Sequence, residues 1–144
     1  MVVINTQIMT TKSYLNSLAY KILGAAIEVH RELGPGLLES AYHHCLRREF
    51  DLNNINYCSQ LRIPIEYKGW QIDADYRLDF LIENEIILEI KAVERLLPIH
   101  EAQLLTYLKL LQKSKGILIN FNSRNLVHEG SKQMVSACFR TLPD

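Results

Sequence analysis

Eight residues, Ile86-Ile87-Leu88-Glu89-Ile90-Lys91-Ala92-Val93, restrict the fold more than any other stretch of the chain. Apolar side chains occupy both alternating sets of positions, so the segment reads as a strand buried on both faces rather than as a sheet edge. A sheet containing such a strand needs helices packed on it. The chain offers them. Leu15, Leu18, Ile22, Ala26, Val29 and Leu33 recur at steps of three and four, which predicts a helix over residues 13–32 that ends at Gly34-Pro35-Gly36. Leu38, Ala41, Tyr42, Cys45, Leu46 and Glu49 repeat the spacing and predict a second helix to about Phe50. The Asn-rich stretch Asp51 to Gln60 reads as a loop.

The period then changes to two. Ile63, Ile65 and Tyr67 alternate with Arg62, Pro64, Glu66 and Lys68, which predicts a strand that Pro64 confines to an edge or a bulge. Gly69-Trp70 turns the chain into a second strand over residues 71–83, with Leu78, Phe80 and Ile82 on one face and Arg77, Asp79 and Leu81 on the other. Glu83-Asn84-Glu85 is a turn into the buried strand. Leu104, Leu105, Leu108 and Leu111 predict a helix from Ile99 to about Lys113, and a strand follows over Ile117 to Phe121. The last twenty residues are read as a loop and a short helix around Lys132 to Phe139. The order is that of a mixed α/β domain in which the third and fourth strands, if parallel, are joined by a right-handed crossover.

Composition bounds the rest. With 144 residues, 48% of them apolar and 22% charged, the chain has the length of one domain and the make-up of neither a disordered nor a low-complexity protein. Sixteen basic against sixteen acidic residues give a net charge of zero, so any basic surface for a polyanion must be local. Cys45, Cys58 and Cys138 are odd in number and far apart, which argues for reduced thiols in a cytoplasmic setting. The first ten residues lack the cationic start and apolar core of a signal peptide, and no run suits a membrane span, so a soluble, cytoplasmic protein without a membrane partner is expected.

Glu89 and Lys91 interrupt the buried strand and lie on one face of it. Taking such charges out of water costs several kcal/mol per ion unless they pair or hold a metal. The turn at Asn84 pairs this strand antiparallel with the one before it and sets Asp79 opposite residue 89, within one or two positions. Asp79, Glu89 and Lys91 then converge on one patch of sheet. Two carboxylates beside an ammonium suit a hard divalent cation such as Mg²⁺ and leave the lysine to meet a negative substrate or orient a water.

Gly36-Leu37-Leu38-Glu39-Ser40-Ala41-Tyr42 resembles the signature of the GxxExxY proteins, a group within the PD-(D/E)XK nuclease superfamily. The similarity extends from about Tyr20 to Phe121. It takes in Ile22 to Gly36, Asp79 with Glu89-Ile90-Lys91, and His100 to Tyr107. The resemblance implies a restriction-endonuclease-like αβββαβ core, a small mixed sheet flanked by helices with an extra N-terminal helix. It also implies a single domain with its core at about residues 13–121 and peripheral ends at 1–10 and 122–144. It makes Asp79 and Glu89 metal ligands with the carbonyl of Ile90, Lys91 the group that stabilises charge on phosphate or positions water, and Glu39 the acid contributed by the second helix. Gln103 and Tyr107, four apart on one helical face, resemble Gln/Tyr pairs that sit beside the catalytic lysine or the phosphate.

Duller roles exist for several of these. Glu39 also suits the start of any helix, Gln103 and Tyr107 suit ordinary surface and core positions, Tyr42 suits packing, and Gly36 suits backbone geometry. His30 precedes the Gly-Pro-Gly loop and is an accessory candidate or a structural residue. His100-Glu101 lacks the second histidine of a metalloprotease box, and His43-His44-Cys45 lacks zinc-site spacing.

The expected function is Mg²⁺- or Mn²⁺-dependent hydrolysis of phosphodiester bonds in nucleic acid, DNA ahead of RNA. Arg47, Arg48, Lys109, Lys113 and Lys115 are the candidate phosphate contacts, although the lysines equally suit a solvated helix end. A homodimer is one expectation for an enzyme that cuts two strands. The alternatives are a catalytically silent binding or assembly module of the same fold and a toxin-like or defence component whose partner supplies nucleic-acid affinity.

Overall fold

A computed structural model describes residues 9–144. The terminal stretch read for a signal core therefore falls, up to Ile8, outside the described residues. Helix α1 spans Lys12–Leu33, and the Thr11 side chain caps it by accepting a hydrogen bond from the amide of Tyr14 at 3.0 Å. It buries Leu15, Leu18, Ile22, Ala26 and Val29, the stripe that the spacing predicts except for Leu33, which is exposed at the helix end, and α2 follows over Glu39–Leu52. The strands are β1 (Tyr57–Arg62), β2 (Ile65–Tyr67), β3 (Trp70–Ile72), β4 (Arg77–Ile82), β5 (Ile86–Lys91), β6 (Lys115–Asn120) and β7 (Ser131–Val135). Helix α3 (Pro98–Leu111) lies between β5 and β6, and a short α4 (Ala137–Arg140) closes the chain.

Five strands form one sheet in the order β1-β4-β5-β6-β7, antiparallel except for the β5/β6 pair that α3 connects. The central position of β5 agrees with its apolar sequence, since Ile86 to Ile90 are all buried. On one face α1 and α2 pack over Phe80, Ile82, Leu88, Ile90, Ile117 and Ile119; on the other, Leu104, Tyr107 and Leu108 of α3 pack over Leu81, Ile87 and Leu118. The αβββαβ core expected from the sequence is present as α2, β1, β4, β5, α3 and β6, with α1 as the extra N-terminal helix. Among the described residues no helix is long and apolar enough to cross a membrane.

Four readings need correction. The first sheet strand is β1, inside the stretch read as a loop; its Tyr-Cys-Ser-Gln-Leu-Arg sequence alternates half-buried with exposed residues at a sheet edge and shows no apolar alternation. The strand read over residues 63–67 is only β2, which pairs with β3 in a separate two-stranded ribbon, so the long second strand is two pieces, β3 and β4. Leu78 does not share a face with Phe80 and Ile82 but packs with Leu81 on the α3 side. The cause lies at Asp79, where the β4/β5 ladder stops at Phe80↔Leu88 and Gln60 of the neighbouring strand takes a φ of 55°. Finally, the C-terminal segment contributes β7 to the sheet beside β6 before its short helix.

Candidate active site

The break at Asp79 builds the site. Continued by one step, the β4/β5 register would set Asp79 against Glu89, and by two steps Leu78 against Ile90. Side chains replace the ladder there: the amide of Asp79 donates to Glu89 Oε1 at 2.9 Å and the amide of Ile90 donates to Asp79 Oδ2 at 2.8 Å. Each carboxylate thus satisfies a backbone donor of the opposite strand. Asp79 is 9% and Glu89 4% exposed, so two acids share a small, poorly hydrated volume.

That placement sets their protonation. Burial first, then the Asp79 carboxylate, pushes Glu89 up to about 8, with the Asp79 amide and Lys91 pulling the other way. Asp79 is also raised by burial, against the Ile90 amide, His43 and Lys91. Two acids so close cannot both ionise cheaply, so their mutual repulsion and burial favour one bound proton on the pair. Lys91 leaves the same face of β5 as Glu89 and donates from Nζ to Gln103 Oε1 of α3 at 3.3 Å. Tyr107, one turn on and buried, has its phenol raised by burial and then by Glu89, Tyr76 and Asp79, with the neighbouring Gln103 pulling the other way.

The opposite wall comes from the start of α2. Glu39 is the first residue of that helix, and its carboxyl is raised by burial and by Asp79 while Lys91 restrains it. A tyrosine holds this end in place: Tyr42 Oη donates to the carbonyl of Gly34 at 2.6 Å, accepts from the amide of Leu37 at 3.1 Å, and its ring stacks on Phe121 at 4.6 Å. Gly36 within the clamped loop has a φ of 102°, a conformation open to glycine and few others. Between α2 and the β1/β4 edge lies a cleft of about 330 Å³ lined by Glu39, His43, His44, Arg47, Ser59 and Asp79 among others. A larger groove of about 860 Å³ between α1 and the end of α2 is lined by none of these carboxylates, so size alone does not locate the chemistry.

Asp79, Glu89, Lys91, Gln103, Tyr107 and Glu39 are therefore gathered at one end of β4 and β5. Arg47 lines the cleft, while Arg48 and Lys109 are exposed. Lys113 reaches Asn84 at 3.3 Å, at the far end of the same strands, and Lys115 is buried against Asn16. His30 is not in the cleft; its Nε2 donates to the carbonyl of Ser123 at 2.7 Å and ties α1 to the loop after β6.

Sequence reasoning missed His43 and Ser59. His43 Nε2 and Ser59 Oγ lie 2.7 Å apart, and the imidazole stacks on Phe80 at 4.3 Å. Burial lowers the His43 pKa against the pull of Asp79. The four-residue step from Glu39 to His43 on one helix carried the signal, but Ser59 sat in the supposed loop.

The donor set suits a hard cation. Asp79 and Glu89 offer carboxylate oxygens, and Ile90 turns its carbonyl to the same side of the strand as the amide that meets Asp79. Among the described residues no group of three or more His, Cys, Asp and Glu side chains is gathered closely enough to bind a metal alone, so such an ion would keep waters, as Mg²⁺ does. Residues 16–134 match the family model described as the PD-(D/E)XK nuclease superfamily. No curated protein and no solved structure matches the chain.

Proposed function

Because the chain belongs to the PD-(D/E)XK nuclease superfamily, we propose that it is a divalent-metal-dependent nuclease whose working residues are Asp79, Glu89, Lys91, Glu39, Gln103 and Tyr107, with DNA as substrate ahead of RNA. The observation that carries this reading is the buried pair of carboxylates set side by side by reciprocal hydrogen bonds, with an ammonium on the same face. Such a pair costs several kcal/mol unless something positive joins it. Asp79, Glu89 and the carbonyl of Ile90 would hold Mg²⁺ or Mn²⁺, with Glu39 reaching it through water. A bound ion there supplies charge for the scissile phosphate and eases deprotonation of the attacking water.

The protein's own groups do the rest. Lys91, steadied by Gln103, presents its ammonium where negative charge grows on the phosphate. Tyr107, one turn along the same face of α3, keeps a neutral phenol at physiological pH because burial and the nearby carboxylates raise its pKa. Arg47 lines the cleft and supplies a phosphate contact that the neutral net charge makes local. Gly36, Glu39 and Tyr42, with the clamp that Tyr42 makes on their loop, support a place in the GxxExxY branch and a single nuclease domain.

Linear duplex, circular plasmid, single-stranded DNA and RNA, each with Mg²⁺, Mn²⁺ or EDTA, test the proposal. Wild type should cut at least one of them only with metal, and Lys91→Ala and Glu89→Gln should each lower the rate about a hundredfold or more. Mg²⁺ should also raise the melting temperature of wild type and not that of Asp79→Ala. No cleavage and no metal-induced stabilisation would instead leave a silent module of nuclease fold. Cleavage that survives both substitutions would place the activity elsewhere.

A further inference from the structure

The β2/β3 ribbon plays no part in the catalytic reading. Its strands pair as Ile65↔Ile72, Glu66↔Gln71 and Tyr67↔Trp70 around a tight turn in which Lys68 and Gly69 have φ of 48° and 76°. Directly opposed residues share a face, so Ile65, Tyr67, Trp70 and Ile72 form one apolar side while Glu66 and Gln71 form the other. That apolar side is open: Trp70 is 71%, Tyr67 58% and Ile72 41% exposed. A two-stranded ribbon is at best marginal in water without something packed on it.

Its position is informative. Arg62 and Arg77 are paired at the root of the ribbon, and Asp79 follows two residues later on β4. Tyr76, also at the root and half-exposed, acts electrostatically on Tyr107, the residue beside Glu89 and Asp79. Cations mark both ends: Lys68 stands over the Tyr67 ring at 5.4 Å at the tip, and Arg62 and Arg77 are held at the root by Asp73 at 3.1 Å and Asp75 at 3.0 Å. The one carboxylate within the strands, Glu66, points to the reverse face.

Resting on the nuclease reading above, we propose that the Tyr67/Trp70 face of the ribbon stacks on unpaired bases of the substrate strand beside the cleavage site, so that the substrate class is single-stranded or locally opened nucleic acid. Exposed aromatic rings with the Lys68 ammonium beside them suit this occupant, because base–aromatic stacking tolerates any base, while Arg62 and Arg77 would contribute only by exchanging Asp73 and Asp75 for phosphate. A blunt duplex covers its base faces within its own stack. A second copy of the chain is a poorer fit: four apolar side chains on two three-residue strands fall well short of the roughly 20–30 residues a side of a standard protein interface.

Trp70 is the only tryptophan in the chain, so its fluorescence reports on this face alone. The full chain in EDTA is titrated with a single-stranded oligodeoxynucleotide and with the blunt duplex of the same sequence, and binding is read in parallel by anisotropy of labelled oligonucleotide. Single strands should quench Trp70 more than the duplex does. Trp70→Ala should bind the single strand about five- to a hundredfold more weakly, with Trp70→Phe close to wild type; the position is exposed, and circular dichroism checks the fold. An unchanged Trp70 signal, or Trp70→Ala binding as tightly as wild type, overturns the proposal. If wild type also cuts a duplex with metal, only the ribbon's role falls; if it neither binds nor cuts any nucleic acid, the nuclease reading falls with it. A concentration-dependent dimer that Trp70→Ala abolishes would overturn it too, and make the ribbon a self-association face.

Discussion

At Glu89 burial and the Asp79 carboxylate favour the same thing, a bound proton, and the side chain titrates near 8 instead of its ordinary 4.5. Between those values the native state binds the proton more tightly than the unfolded chain. Stability contributed by this group is therefore full below about 4.5 and is lost as pH rises through about 8. With each pKa unit equivalent to ~1.4 kcal/mol, the loss is on the order of a few kcal/mol. Urea unfolding at stepped pH without divalent ions should show that decline, Glu89→Gln should flatten it, and Mg²⁺ should restore stability chiefly at the alkaline end. The triad of Asp79, Glu89 and Lys91 was legible in the sequence because hairpin register is simple arithmetic once the turn is placed. His43 and Ser59 were not, since their meeting depends on β1, whose half-polar alternation hides it.

Elements that bury a continuous stripe or a two-sided apolar run, α1, α2, α3 and β5, were readable from spacing alone. Those held by hydrogen bonding at an edge, β1 and β7, were not, and the ribbon's strands and turn were read but not their separation from the sheet, because propensity and pattern report burial more directly than pairing. Two junctions between elements make sharp predictions. Tyr42→Phe removes the hydroxyl that bridges Gly34 and Leu37, so it should cost about 1–3 kcal/mol in chemical unfolding. If that clamp aims Glu39, the same variant should also slow cleavage without changing the metal preference. At Gly130 an added methyl would stand 2.0 Å from Ser123 Oγ and 2.7 Å from the carbonyl oxygen of Asn120. Gly130→Ala should therefore lower the melting temperature through about 1–3 kcal/mol of overpacking at the β6 to β7 connection.

Across the whole molecule, order is graded from the centre outward. β5 and β6 are covered by α1 and α2 on one side and α3 on the other, whereas the ribbon's strands are largely exposed and join the sheet at a root where the Ile63 amide donates to the carbonyl of Tyr76 at 2.8 Å. Hydrogen exchange should follow that gradient: amides of Ile87 to Ile90 and Ile117 to Ile119 last to exchange, those of β2 and β3 among the first. Equal protection of ribbon and sheet in the free protein would mean that the ribbon is packed in a way this fold does not provide. The covered centre carries the two carboxylates, and the exposed ribbon borders them.

The stitch between Asp79 and Glu89 has a consequence for descent. The same oxygen atoms that suit catalysis also satisfy two buried amides. A lineage that abandoned the chemistry could exchange either acid for its amide, keep a carbonyl acceptor in place and retain the fold. Exchange for alanine or valine would strand a buried donor, at about 1–3 kcal/mol each. Inactive descendants of such a chain should accordingly carry asparagine or glutamine at these two positions far more often than small apolar residues, leaving the outline of the lost site written in its amides.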